Sequence, residues 1–248
     1  MIPLSDMDRP GQRFPFFNVA FVVANILVYA YQALLDTQPL SGGTADACTR
    51  MMAQLSGALT AGDQFVCTYA VIPNEILHGQ DLFTLVTAMF LHGSLLHVGS
   101  NMLYLWVFGD NIERSIGTLL YPVFYLLAGI VAFAVQTLVV GPSNIPNIGA
   151  SGAVAGVLGA YIVLYPGRQV RTLVILGIFI TITRVSALLL LGFWILTQFL
   201  AGFSSLAARL GEGGGVAYWA HIGGFIFGVV VGLALRAMNR GERQGYSY

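Results

Sequence analysis

Five polar side chains sit in otherwise apolar stretches: His92, His97 and Asn101 in one, Ser151 at the head of a second, and His221 in a third. A serine and a histidine together make a nucleophile and its general base, the imidazole taking the hydroxyl proton as Oγ attacks a carbonyl carbon. An amide and a second imidazole are donors suited to the oxyanion that forms in that attack. His97 and Asn101 are four residues apart and share one helix face. His92 and His97 are five apart, about 140° around a helix, so the spacing predicts that they do not point into one site. It assigns His92 to holding loop backbone and pairs His97 with Asn101. The same spacing argues against a zinc pair of the i, i+4 kind. With the fourth histidine, His78, in a separate segment, no metal, haem or organic cofactor is expected. Taken singly, each of these residues also fits a packing role.

Ser151 lies in GASG, where the sequence predicts a helix to begin. One reading is a helix cap. The other is a hydroxyl beside the free N–H groups and positive dipole end of a helix, which are oxyanion donors. About 15 residues separate Ser151 from the Pro166-Gly167-Arg168 stop, or roughly 22 Å of helix against a hydrocarbon core of about 30 Å. If Arg168 marks one face of a bilayer, Ser151 is submerged about 8 Å below the other. Gly152 and Gly156 follow the serine at GxxxG spacing, and Gly224, Gly228 and Gly232 follow His221. Packing the two stripes together would bring hydroxyl and imidazole to similar depth.

Those positions require a membrane scaffold. The chain has 248 residues, 56% hydrophobic and 9% charged, and a mean hydropathy of +0.77. Soluble domains carry about 25% charged residues. Eleven arginines, with no lysine, balance eleven acidic residues, which excludes a basic nucleic-acid binder or an acidic tail protein. Two cysteines exclude a disulfide scaffold and a four-cysteine zinc site. Apolar runs at 14–35, 91–108, 119–140, 151–165, 185–203 and 218–235 predict six spans, with 172–183 as an interfacial or re-entrant lead-in to the fifth. The leader before the first run holds Asp6, Asp8, Arg9 and Arg13, which is not a positive n-region, and the run exceeds the length of an h-region, so a retained helix is expected over a cleaved signal peptide. With the N-terminus inside, nine arginines (9, 13, 114, 168, 171, 184, 236, 240 and 243) fall in inner segments and two (50 and 209) in outer ones, placing both termini in the cytoplasm. Cys48 and Cys67 then share the long outer segment 36–90, either paired or as two free thiols. The absence of Asp and Glu from the six runs weighs against an ion-coupled transporter or a channel.

The strings FTLVTAMFLHGSLLHVGSNMLYLWVFGDNIERSIG, GASGAVAGVLGAYIVLYPGR and AHIGGFIFG together resemble the rhomboid intramembrane serine proteases, over roughly residues 81–235. The resemblance implies an all-α membrane protein, a six-transmembrane-helix bundle of rhomboid type, with a short cytoplasmic N-terminus at 1–13, the helical domain at 14–238 carrying the outer insertion, and a cytoplasmic tail at 239–248. It implies Ser151 as nucleophile, His221 as base without a third carboxylate, and oxyanion contacts from Asn101, His97 and the Ser151 N–H. Gly149 matches the family's glycine two residues before the nucleophile, where a bare backbone is implied to admit the scissile peptide. The activity implied is a serine endopeptidase that cleaves single-span membrane proteins near the outer face of a cell membrane, of prokaryotic type; a catalytically inactive scaffold that binds membrane helices is the alternative. No nucleic-acid partner is implied, and the sequence sets no oligomeric state. Where some bacterial members carry a tyrosine that stacks on the base, this chain has Ala155, leaving Tyr161 or Trp219 as substitutes. Some members have Trp-Arg in the first loop; here Gln80-Asp81 precede Leu82. The 201–217 segment, rich in Gly and Ser, and the fifth helix are candidates for a gate.

Overall fold

The structure is a computed structural model, and it describes residues 1–6, 14–40, 46–57, 59–207 and 216–245. In chain order come β1 (Ile2–Asp6), α1 (Phe16–Leu35), α2 (Ala47–Ser56), α3 (Ala61–Tyr69), α4 (Pro73–Leu77), α5 (Thr84–Thr87) and a 3-10 turn (Ala88–Phe90). Then follow α6 (Leu95–Ile116), α7 (Tyr121–Val140), α8 (Ser151–Leu164), β2 (Gln169–Leu176), β3 (Phe179–Ser186), α9 (Ala187–Ala207) and α10 (Tyr218–Gly245). Among the described residues, four helices are long and apolar enough to cross a membrane: α1, α7, most of α9 and Tyr218–Met238 of α10. α8 is apolar but has only 14 residues, about 21 Å of helix. α6 is longer and carries Asp110, Glu113 and Arg114 near its end.

α8 is the hub. Every residue from Gly152 to Tyr161 is buried, as a helix apolar on all sides requires. α10 crosses it at backbone contact: a methyl on Gly224 would strike the Gly152 carbonyl oxygen, and one on Gly228 that of Gly156. On another side Ala132 and Ala128 of α7 lie where methyls on Gly152 and Gly156 would fall, at 2.5 Å in both cases. The glycine stripes therefore meet, as their spacing predicts, and small residues let dispersion and close approach replace the hydrophobic effect that lipid does not supply.

The two ends of the bundle differ. At the Ser151 end, the insertion between α1 and α6 folds into short helices with explicit start signals. Asp46 caps α2 by accepting from the Thr49 N–H, and Thr60 with Asp63 forms a capping box on α3. Cys48 and Cys67 are joined by a disulfide with Cα atoms 5.8 Å apart. The insertion is tied to the loop before α8 through Val71 N–H to Asn147 O (3.1 Å), Asn147 N–H to Val71 O (2.8 Å) and Gly149 N–H to Ala88 O (2.8 Å).

At the opposite end, Glu113 of α6 accepts from the first N–H groups of α1, at Asn18 (2.8 Å) and Phe17 (3.3 Å). A carboxylate there complements the helix dipole and satisfies free donors. Buried Asp6 holds Arg168 at 3.2 Å and accepts from Asn111 Nδ2 at 3.1 Å and from the Tyr161 hydroxyl. Arg168 also donates to Asn111 Oδ1.

Two expectations need correction. The chain is mostly helical but not all-α, because β1, β2 and β3 form an antiparallel sheet in that order. The 172–183 stretch, expected as an interfacial or re-entrant lead-in to the fifth span, folds as the heart of a β-hairpin. Its Val, Thr and Ile content suits strands, and Val170, Thr172 and Val174 are buried at period two. Gly177 supplies the turn at φ +60°. Apolar run length masked that alternation. The arginines at 9, 13 and 209, and residues 208–215 of the proposed gate segment, lie outside the described residues, as do the side chains of the arginines at 240 and 243.

Candidate active site

Ser151 is the first residue of α8, following Ala150 in helical conformation with no side-chain cap bond, so its hydroxyl is not spent as a cap. Ser151 Oγ lies 2.7 Å from His221 Nε2. His221 is in the first turn of α10, and Gln136 of α7 steadies that turn by accepting from the Ala220 N–H at 3.2 Å. His221 Nδ1 lies 2.8 Å from Oε1 of Gln198 on α9. A carbonyl oxygen only accepts, so Nδ1 must carry the hydrogen and Nε2 presents its lone pair to the serine. The Gln198 amide is oriented in turn by donating to Thr197 Oγ1 (3.1 Å) and Trp194 O (3.4 Å).

The imidazole is sandwiched by rings other than those expected. Trp194 lies tilted at 33° with centroids 5.7 Å apart, and Tyr218 stands edge-on at 6.5 Å. Tyr161 instead binds Asp6 at the far end of α8, and Trp219 packs on Phe203. Ala155 is fully buried, and the rings beside the base come from α9 and α10 instead of α8.

Gly149 adopts φ +120°, and a methyl there would stand 2.8 Å from the His97 ring and 3.8 Å from Ser151 Oγ. Both the left-handed backbone and the absent Cβ are needed, and His97 is thereby set beside the serine. Asn101 Nδ2 donates to His92 Nε2 at 3.1 Å. His92 and His97 rings meet edge-to-face at 4.9 Å, contrary to the expectation that they diverge. The 140° argument fails because α6 begins at Leu95, with Ser94 as its cap, accepting from the His97 N–H. His92 is thus in non-helical chain before the helix. Its own backbone is clamped by Gln32 of α1, which donates to His92 O (2.9 Å) and accepts from His92 N–H (3.3 Å). One cluster therefore holds Ser151, His221, His97, Gly149, Asn101 and His92.

Sequence reasoning missed Gln32, Gln136, Gln198 and Trp194. A signal existed: each glutamine interrupts an apolar run, and an intramembrane amide needs a partner. Trp194 and Gln198 are also four apart, hence on one face of α9. No group of three metal-ligating side chains occurs among the described residues.

A hydroxyl hydrogen-bonded to an imidazole whose other nitrogen is fixed as a donor, at the head of a helix in an apolar bundle, defines a helical membrane protein built around a serine–histidine pair. The model for the Rhomboid domain matches residues 79–238. RHOMBOID-like protein 4 of Arabidopsis thaliana is 31% identical over 237 residues, covering 90% of this chain and 53% of that protein. Rhomboid protease GluP of Bacillus subtilis is 26% identical over 182 residues, 73% of this chain and 31% of that protein. Rhomboid protein 1, mitochondrial, of Saccharomyces cerevisiae is 29% identical over 192 residues, 73% and 49% respectively. This chain belongs to the rhomboid family of membrane proteins. The match spans about half the length, or less, of these relatives.

Proposed function

We propose that the chain is an intramembrane serine endopeptidase, acting on the transmembrane segments of single-span membrane proteins near the outer face. The observation that carries this reading is the 2.7 Å Ser151–His221 contact with the histidine tautomer set by Gln198. His221 takes the Ser151 proton through Nε2 while Oγ attacks the peptide carbonyl, then returns it to the leaving amine, and water releases the acyl-enzyme. The imidazolium formed is held by its bond to Gln198 and by the face of Trp194. Backbone N–H groups at the start of α8, together with His97 and Asn101, stabilise the oxyanion. Gly149 leaves room for the scissile strand. A helical substrate must unwind locally, since a helix ties up its own peptide bonds.

In this reading α1, α6, α7, α8, α9 and α10 form a six-span bundle with both termini cytoplasmic. The described arginines support it: Arg114, Arg168, Arg171, Arg184 and Arg236 gather at the end remote from Ser151, and only Arg50 lies in the insertion beside it. A disulfide at the Ser151 end also suits an oxidising, extracytoplasmic compartment. The domain limits follow as a cytoplasmic 1–13, a bundle over 14–238 and a tail at 239–248.

Fluorophosphonate labelling of detergent-solubilised protein tests the reading. Wild type should label, Ser151→Ala should abolish labelling because it removes the oxygen that is modified, and His221→Ala should lower it by at least about 10²-fold, the low end of a general base's contribution. Unlabelled, folded wild type that also fails to cut a permissive single-span substrate in liposomes would leave the non-catalytic scaffold as the function.

A further inference from the structure

The β1–β2–β3 sheet is not used by the chemistry, and among the described residues nothing covers one of its faces. In an antiparallel sheet, directly opposed residues project to the same side. Val170, Thr172 and Val174 of β2 are buried against the bundle, so the residues between them face outward. The register arranges that outward face in rows. Ser5, Arg171 and Arg184 form one; Ile2, Leu173 and Ile182 the next; Ile175 and Ile180 the third. At the tip, Ile178 is 91% exposed. Such a continuous apolar surface marks an interaction site.

Two arginines directly opposed on one sheet face repel each other, and neither Arg171 nor Arg184 has a carboxylate partner among the described residues. An anion between them would remove that repulsion, and a guanidinium fork matches phosphate oxygens. The hairpin is also anchored at helix ends. Ala187 N–H donates to Arg168 O (2.8 Å) and Leu188 N–H to Pro166 O (3.1 Å). Directly beyond, Leu188 and Leu189 of α9 expose apolar surface, so the arginine row adjoins the rim of a membrane helix. Charged groups at the rim with aliphatics beside them is the pattern of an interfacial anchor.

We propose that the sheet lies on the bilayer surface at the end remote from Ser151, its aliphatic rows and Ile178 tip in the acyl boundary and Arg171 with Arg184 jointly binding the phosphate of an anionic lipid. This surface is independent of the proteolytic reading. The test uses the full chain with Ile178→Cys carrying an environment-sensitive fluorophore, Cys48 and Cys67 remaining bonded. The protein is reconstituted in phosphatidylcholine vesicles with or without 30% phosphatidylglycerol. With the anionic lipid, shallow nitroxide-bearing lipids should quench the probe, and iodide should reach it several-fold less than it reaches the free dye. Arg171→Gln/Arg184→Gln should weaken lipid quenching several-fold in the anionic vesicles alone. A label at Ile180→Cys gives the same readout should the tip variant not fold. Free access of iodide in both vesicle types overturns the proposal. So does lipid quenching indifferent to phosphatidylglycerol and to both arginines, and so does protection that disappears when the protein is diluted in the bilayer, which would mark a contact between copies.

Discussion

His221 serves as a base only through Nε2, and nothing intrinsic to imidazole selects that tautomer. In a triad a carboxylate makes the selection; here the Gln198 carbonyl oxygen does it without placing a second charge in an apolar bundle. The neutral amide gives orientation but less stabilisation of the imidazolium than an anion would. Gln198→Leu should therefore lower the fluorophosphonate labelling rate by roughly tenfold, less than the 10²–10⁴-fold that the acid–base group itself contributes, with Tm nearly unchanged. Gln198→Glu should restore labelling, because a carboxylate oxygen also accepts from Nδ1–H and keeps the same tautomer. Equal rates for wild type and the leucine variant would remove Gln198 from the mechanism. His92 belongs to the same logic one layer out: it accepts from Asn101, which orients that amide, while Gln32 holds the His92 backbone.

The contact between α8 and α10 sets the depth at which hydroxyl and imidazole meet. Gly224 sits one turn below His221 and faces the Gly152 carbonyl, itself next to Ser151, so even one methyl must push the helices apart. Overpacking of this kind costs about 1–3 kcal/mol, and the opened gap falls at the 2.7 Å Ser151–His221 bond. Gly224→Ala should reduce labelling by at least tenfold and lower Tm. Gly192→Ala on α9, where an added methyl meets nothing within 4 Å, should do neither. Labelling of Gly224→Ala at the wild-type rate would show that the helix spacing is not what sets the pair. α9 has a looser role, lying over the base through Trp194 and Gln198 while exposing Leu196, Leu200 and Phe203 to lipid.

Across the whole molecule, polar bonding is concentrated at the two ends of α8. The end remote from Ser151 is closed by Asp6, whose carboxylate joins β1 to α6 and α8 through Asn111, Tyr161 and Arg168. The Asp6 side chain of this ion pair is 1% exposed and that of Arg168 15%. Removing one member of a buried network leaves the others desolvated and unpaired. Asp6→Ala should cost about 3–5 kcal/mol, seen as a Tm lowered by roughly 6–20 °C for a chain of this size. Labelling measured well below Tm should persist, because none of these groups touches the serine. An unchanged Tm would show that the network is solvated and contributes little.

The apolar runs, the glycine stripes and the order of the polar residues are local properties, and they sufficed to locate the helices and to pair Ser151 with His221 in depth. Side-chain periodicity and GxxxG spacing act within a turn or two of helix, so a linear reading captures them. Three features were decided only by tertiary structure. His92 joined His97 because the helix starts at Leu95, and a cap two residues away voided the angular argument. Gln198 and Trp194 reached His221 because α9 packs over α10, a contact that no spacing within either helix encodes. The 169–186 stretch became a sheet because β1, more than 160 residues earlier in the chain, supplies its third strand and the buried face its partner. Pairings between distant segments depend on which surfaces meet after the helices pack, and single-segment patterns carry no record of that.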